Sequence, residues 1–144
     1  MATCAVPGIF PPIEKGACRL VDGGILNNVP VNVLREQKAD VIMAVDCQDI
    51  SSMETPWQDM PDKPLWMAAL PDWVWDLYRS NLVMVSEISR LKLEATKPDI
   101  LLIPKINPEI TMLMGFMKAH EAIQTGEDAT REIIPELKRR LYDD

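Results

Sequence analysis

The sequence lacks the features that would assign it to a membrane, a secretory route or a nucleic acid. No uncharged apolar run approaches the roughly 20 residues of a membrane-spanning helix. The first residues, MATCAVPGIF, have no basic signal segment, so we expect a cytoplasmic location, with peripheral contact at the inner membrane left open. A net charge of −7 argues against a nucleic acid partner. The only basic run, Lys138 to Arg140, is flanked by acids and is interpreted as a solvated helix face rather than a lipid-headgroup patch.

Cysteine and histidine are scarce as well. Cys4, Cys18 and Cys47 form no CxxC pair, which argues against a zinc site, and we expect no metal ion and no other cofactor. Their apolar neighbours predict small, reduced core residues. Cys47 follows a predicted strand, which leaves a nucleophilic role open, although no cationic residue near it in sequence would lower its pKa. His120 is the only histidine, and its helical surroundings predict a surface position rather than a catalytic one.

What the sequence does contain predicts one α/β domain or partial domain over residues 1–144. The 47% hydrophobic content of the 144 residues is typical of a globular chain. Residues 17–21 predict a short strand, residues 29–38 a short helix with Pro30 in its first turn, and VIMAVD at 41–46 a strand buried on both faces. This order predicts a βαβ unit with a parallel pair, and DILLIP at 99–104 would extend the sheet. We therefore expect a parallel-rich sheet flanked by helices.

Two long helices are predicted after the second strand. The first begins at Asp72, ends near Lys97-Pro98, and has one stripe typical of a long amphipathic helix. That stripe contains Val74, Leu77, Asn81, Met84, Ile88, Leu91 and Ala95. The second helix has a similar stripe near the C-terminus, and Pro135 is expected to kink or split it.

Aromatic residues are concentrated between positions 57 and 78, and two interpretations stay open. Trp57, Trp66, Trp73, Trp75 and Tyr78 could form a lid or a lipid-facing surface, because amphipathic rings suit a membrane interface. Alternatively, the tryptophans pack a helix against the sheet. Trp73 and Trp75 are two positions apart on a predicted helix, so they cannot both face the centre of the core.

The stretch CRLVDGGILNNVPV ends a predicted strand with an acid and two glycines. Ligands of open α/β sheets bind at the carboxyl ends of the strands, where Asp22 is expected. Gly23 and Gly24 can take positive φ and allow close approach, and partial burial could raise the pKa of Asp22 towards that of a general base. The alternative is that Asp22 simply begins a Gly-Gly turn, in which Asp is common.

Longer motifs around Asp22 favour the first interpretation. The segment ATCAVPGIFPP at residues 2–12 includes Pro7 and Gly8, and Asp22-Gly23-Gly24 follows it. Their order resembles the patatin-like phospholipase family, in its bacterial cytoplasmic branch related to neuropathy target esterase. In that family the first segment usually has serine where Thr3 stands here. The resemblance continues through Ile103-Pro104 and AHEAIQTGEDA, so it covers nearly the whole chain.

The resemblance implies a lipid or ester substrate and a catalytic Ser–Asp dyad in which Asp22 is the acid. The family's nucleophile lies in a G-x-S-x-G elbow upstream of these motifs, and this chain contains no such elbow. We therefore expect the C-terminal part of a patatin-like domain, inactive alone, with a sheet edge open to self-association or to a complementing N-terminal segment. The alternative function is a non-catalytic α/β binding or interaction module, such as a dimer.

Overall fold

The computed structural model describes residues 2–48, 56–60, 62–107, 110 and 116–142. Its strands are β1 (Ile13–Lys15), β2 (Cys18–Leu20), β3 (Met43–Val45) and β4 (Ile100–Leu102). Its helices are α1 (Gly24–Asn27), α2 (Val31–Glu36), α3 (Pro56–Asp59), α4 (Asp72–Thr96) and α5 (Ala119–Tyr142). Single 3₁₀ turns occur at Ala2–Cys4, Leu65–Met67 and Phe116–Lys118. The chain is α/β, as predicted.

The first two strands form an antiparallel hairpin, with Lys15 opposite Cys18. Gly16 has φ of +62° in the two-residue connection, a conformation that glycine adopts without steric cost. The predicted βαβ unit between β2 and β3 is therefore wrong. Its second strand, β3, pairs instead with β4, in parallel. The turn at Gly16 reverses the chain, so β1 and β2, which lie on either side of it, pair with each other.

The parallel pair is held at its start by Asp99, which immediately precedes β4. The backbone amide of Ile42 donates to Asp99 Oδ2 at 2.9 Å, and Arg35 approaches the same oxygen at 3.1 Å. Both contacts favour the ionised carboxyl group, so the pKa of Asp99 is lowered, chiefly by the Ile42 amide. The ion pair also connects α2 to the sheet.

The core lies between the sheet and two helices. Ile42 and Ala44 alternate with outward residues of their strand and pack with Val31 of α2 and Leu93 of α4. Burying such aliphatic side chains contributes roughly 1.5–3 kcal/mol each. α5 contacts β4.

Helix α4 has the predicted bounds, and the side chains that it buries are not those of the predicted stripe. Its end is set by Lys97, whose φ of 44° leaves the helical region and whose amide donates to Leu93. The buried side chains are those of Trp75, Val85, Ser86, Ser89 and Leu93. In the predicted stripe, the side chains of Leu77, Met84 and Leu91 are exposed.

Of the other local predictions, some are confirmed and others are not. α5 runs through Pro135 as one helix, so it is not split there, and the alternative of a kink at Pro135 stays a prediction. Asn27 and Asn28, just before α2, make no cap hydrogen bond to it, because α1 occupies that segment and their side chains have other partners. Arg139 and Arg140 pair with Glu136 on an exposed face, as predicted for the basic run.

The three cysteines are free, but they are exposed, so their predicted core positions are wrong. Cys4 is in a surface turn, Cys18 is in the exposed hairpin, and Cys47 follows β3 outside the core. Apolar neighbours in sequence did not indicate burial here, because β1 and β2 have few buried residues.

The tryptophans of α4 differ in exposure, as their spacing on the helix predicted. Trp75 is buried and stacks on Tyr78 with ring centroids 5.1 Å apart, whereas Trp73 is exposed. Trp57 is partly exposed under the guanidinium group of Arg79, 4.4 Å from the ring centroid. The side chain of Trp66 is outside the described residues. Among the described residues, no helix is both long and apolar enough to cross a membrane.

Candidate active site

Asp22 lies in the turn between the hairpin and helix α1, and its side chain is half-buried. Its own amide donates to the carbonyl oxygen of Ala5 at 3.0 Å, which attaches the turn to the segment before the hairpin. Its carboxylate Oδ1 accepts a 2.7 Å hydrogen bond from the amide of Gly24. Within the described part of the chain, Oδ2 of Asp22 accepts no hydrogen bond. One carboxylate oxygen is thus fixed by the backbone, and the other remains able to accept a proton.

The two glycines beside Asp22 serve different purposes. Gly23 has φ of −69°, and a Cβ atom built on it would have open space around it. A Cβ atom on Gly24 would lie 3.1 Å from Asp22 Oδ1 and 3.2 Å from Asn28 Oδ1. Among the described glycines only Gly8 and Gly16 have positive φ, so neither Gly23 nor Gly24 uses the conformation considered for it. The groups close to Gly24 are side-chain oxygens of this chain. The absence of a side chain there lets the carboxylate and the Asn28 amide approach the same point.

A polar chain connects this turn with the end of strand β3. Nδ2 of Asn28 donates to Oε1 of Gln48 at 3.3 Å, and the amide of Gln48 donates to Oδ1 of Asp46 at 3.0 Å. Asp46 is buried and directly follows β3. The end of helix α1, which follows the Asp22 turn, is therefore attached to the carboxyl end of a parallel strand, the edge at which such sheets bind ligands. Asp22 itself follows β2 of the antiparallel hairpin, so its expected position at the carboxyl end of a strand of the parallel sheet is wrong. Asn28 and Gln48 could not be identified as site residues from the sequence, because they come together only in the folded chain.

Pro7 and Gly8 form the turn that precedes the hairpin. Gly8 has φ of +85°, and the amides of Ile9 and Phe10 both donate to the carbonyl oxygen of Val6. This turn follows Ala5, the residue that accepts the hydrogen bond from the amide of Asp22. The two motifs singled out in the sequence are thus adjacent in the fold.

The described serines do not form a nucleophile. Ser80, Ser86 and Ser89 lie within α4, and the hydroxyl groups of Ser80 and Ser89 donate to carbonyl oxygens four residues earlier in that helix. A nucleophile elbow requires a strained turn between a strand and a helix, which the middle of a helix does not provide. Ser51 and Ser52 are outside the described residues.

The other candidate groups differ in how they fit a catalytic role. Partial burial and the neighbouring Asp46 carboxylate raise the pKa of Cys47, which disfavours the reactive thiolate. His120 is exposed near the start of α5, as predicted. Among the described residues, no cluster of three or more His, Cys, Asp or Glu side chains could hold a metal ion.

A cleft of about 350 Å³ lies between α4 and the parallel strands, within the size range of small-ligand sites. Its lining includes Asp46 after β3 and the apolar side chains of Leu101 and Ile103. Glu94 and Arg90 of α4 also line it and pair with each other. The cleft therefore shares Asp46 with the polar chain that leads to Asp22.

Comparison with known proteins finds a family match over the segment that contains the Asp22 turn. Residues 1–35 match the family model for patatin-like phospholipase, and this range contains both sequence motifs. This segment is patatin-like. The resemblance inferred from the motifs is confirmed.

The relatives align with different shares of this chain. An uncharacterised NTE family protein of Mycobacterium tuberculosis is 42% identical over 45 residues, which cover 31% of this chain and 8% of that protein. Lysophospholipase NTE1 of Candida albicans has the same identity over 45 residues, 3% of its length. Lysophospholipase nte1 of Aspergillus niger is 28% identical over an alignment that covers 96% of this chain and 10% of that protein. The chain spans a tenth or less of these relatives.

Proposed function

We propose that this chain supplies the acid of a Ser–Asp dyad in a patatin-like hydrolase of lipid esters, with Asp22 as the general base. The observation that carries the proposal is the state of the Asp22 carboxylate. Gly24 fixes Oδ1, and Oδ2 has no hydrogen-bond donor within the described residues. The matches to lysophospholipases support a lipid ester as the substrate.

The chemistry requires a serine from outside this chain. Asp22 would accept the serine hydroxyl proton as the serine oxygen attacks the ester carbonyl carbon, and would pass it to the departing alkoxide, so that the alcohol leaves and the acyl-enzyme forms. Asp22 would then accept a proton from the attacking water and return it to the serine oxygen as the second tetrahedral intermediate collapses, which releases the fatty acid and restores the serine. An oxyanion hole would stabilise both tetrahedral intermediates, and like the serine it would come from a complementing N-terminal segment.

The sheet offers such a segment a place to bind. β3 and β4 pair only with each other among the described strands, so each has an outer edge with free backbone groups. A strand added beside β3 would end near Asp46 and the polar chain that leads to Asp22. Exposed Trp57 and Trp73 support peripheral contact of the assembled enzyme with a lipid surface.

The proposal is tested first on the pure chain. Because no nucleophile is available, we expect no hydrolysis of p-nitrophenyl butyrate above the buffer rate and no covalent labelling by a fluorophosphonate. Asp22→Asn should match the unsubstituted chain in both assays. Turnover by the pure chain that Asp22→Asn abolishes would contradict the requirement for an external serine.

A further inference from the structure

Helix α4 presents apolar side chains on two opposite faces, and the chain buries only one of them. The exposed face contains the seven residues of the stripe described above, Val74, Leu77, Asn81, Met84, Ile88, Leu91 and Ala95, here named the α4 seam. Leu77, Met84 and Leu91 are 61%, 54% and 52% exposed, whereas Val74, Asn81 and Ile88 are half-buried. At about 1.5 Å per residue the seam runs for about 33 Å along the helix.

The α4 seam has the residue pattern of a two-stranded coiled coil. Its members alternate at steps of three and four over three heptads, with Val74, Asn81, Ile88 and Ala95 at a positions and Leu77, Met84 and Leu91 at d positions. β-branched residues at a with leucine at d favour two parallel helices. A single asparagine at an a position fixes the register and the two-stranded state at a cost in stability. Asn81 occupies such a position in the middle of the seam.

Charged residues beside the α4 seam select an orientation. Glu87 is at a g position and Lys92 at the following e position, so in a parallel pair each Glu87 faces Lys92 of the other helix. In an antiparallel pair the g positions face each other, which would bring Glu87 and Glu94 towards acidic residues of the second helix. Within one chain both residues have weak, exchangeable contacts, Glu87 with Arg90 on the surface and Lys92 with Asn27 at 3.3 Å.

We propose that two copies of this chain associate in parallel through the α4 seam. Most of the side chains that α4 buries, among them Trp75, Ser89 and Leu93, lie on the side of the helix away from the seam, and Val85 at an e position is the buried residue nearest to it. The net charge of −7 opposes binding of the seam to an anionic lipid surface. The dimer is independent of Asp22, so its failure would leave the proposed hydrolase function untouched.

The first test measures mass in solution by sedimentation velocity over a range of concentrations. We expect a dimer of twice 16.3 kDa that dissociates on dilution. Met84→Glu and Leu91→Glu should each weaken association at least tenfold, because a charge enters an apolar seam. Ile123→Glu is the matched control, since Ile123 is 66% exposed on α5 and lies outside the seam. Circular dichroism should show that all three variants remain folded.

The second test examines the register. Asn81→Leu should tighten association and allow species larger than the dimer, because the asparagine no longer restricts the seam to two helices. If Asn81 only stabilised the single chain, the substitution would produce neither effect. In a background with Cys4, Cys18 and Cys47 changed to Ser, Leu91→Cys should form a disulfide with the same position of the second copy. The charge reversals Glu87→Lys and Lys92→Glu should each weaken the dimer, and the double reversal should restore it.

Three results would overturn the proposal. One is a monomer at every concentration up to the solubility limit. Another is a dimer that Met84→Glu and Ile123→Glu weaken equally, which would place the contact elsewhere. The third is binding to vesicles of mixed phosphatidylcholine and phosphatidylglycerol that Met84→Glu abolishes while the chain stays monomeric, since the seam would then bind lipid.

Discussion

The amide nitrogen of Gly24 lies 2.7 Å from Asp22 Oδ1 and donates a hydrogen bond to it. This bond, between a carboxylate and the amide two residues later, holds the acid against the start of α1. The amide of Asp22 is bound in turn to the carbonyl oxygen of Ala5. The position of the Asp22 carboxylate therefore depends on the conformation of the surrounding backbone. Single substitutions can test the turns that set this conformation one at a time.

The turn before the hairpin should depend on glycine at position 8. Gly8→Ala is expected to lower the free energy of unfolding by about 1–2 kcal/mol, because φ of +85° is unfavourable for any residue with a Cβ atom. Gly23→Ala is the matched control, since neither glycine has an atom within 4 Å of a new Cβ but Gly23 has φ of −69°. It should leave stability unchanged or raise it by roughly 0.4–1 kcal/mol. Urea unfolding followed by tryptophan fluorescence measures both, and equal effects would contradict the assignment of strain to Gly8.

The core between α2, β3 and α4 should depend strongly on Ile42. Ile42→Ala is expected to cost about 2–5 kcal/mol, because the side chain is fully buried and its removal leaves a cavity. Leu26→Ala, at a position that is 69% exposed on α1, should change stability by no more than about 0.5 kcal/mol. Denaturant unfolding at pH 7 gives both values. Similar losses for the two variants would mean that the core lies elsewhere.

Cys47 should react slowly with iodoacetamide at pH 7. Its raised pKa keeps the thiol protonated, and only the thiolate is alkylated at a useful rate. Peptide mapping after timed labelling should show Cys47 modified more slowly in the folded chain than in urea. Asp46→Asn should speed its labelling, because the neighbouring carboxylate contributes to the raised pKa. Labelling of Cys47 that is faster in the folded chain would instead support the nucleophilic role that the sequence left open.

The Asp99 carboxylate should make stability fall in acid. Its folded pKa is lowered below the ordinary value of about 3.9, so its contribution is present above that pH and is lost as pH falls through the folded pKa. Asp99→Asn should be less stable at pH 7 and should lose less stability between about pH 5 and pH 3. Arg35→Gln should show a smaller version of both effects, because the Ile42 amide is the larger cause. Unchanged acid dependence in Asp99→Asn would contradict this assignment.

The parts of the fold that the sequence predicted are those with an unambiguous local pattern. The runs around β3 and β4 are apolar without interruption, and both long helices have clear periodicity with a proline after the first. The hairpin was missed because β1 has only three residues, with a charged residue at two of them. The partner of β2 was missed together with this hairpin, whereas the pairing of β3 with β4 depends on residues distant in sequence.

The exposed apolar stripe of α4 has a more general cause. Periodicity shows that a helix has an apolar stripe, but it does not say what covers that stripe. In α4 the seam is the more apolar face, yet the chain buries the face that includes Ser86 and Ser89, whose polar groups reduce the sequence signal. At the candidate site, Asp22 was identified from its motif, whereas Asn28 and Gln48 required the folded chain.

The central claim is that Asp22 is the general base for a serine that this chain does not contain. The most direct test combines the chain with the part of the Mycobacterium tuberculosis relative that precedes the aligned region, and measures the initial rate of p-nitrophenyl butyrate hydrolysis. We predict turnover only when both parts are present, a loss of about 10²–10⁴-fold with Asp22→Asn, and full activity with Gly23→Ala. Assembly of the two parts, confirmed by sedimentation, with a rate that Asp22→Asn leaves unchanged would contradict the claim.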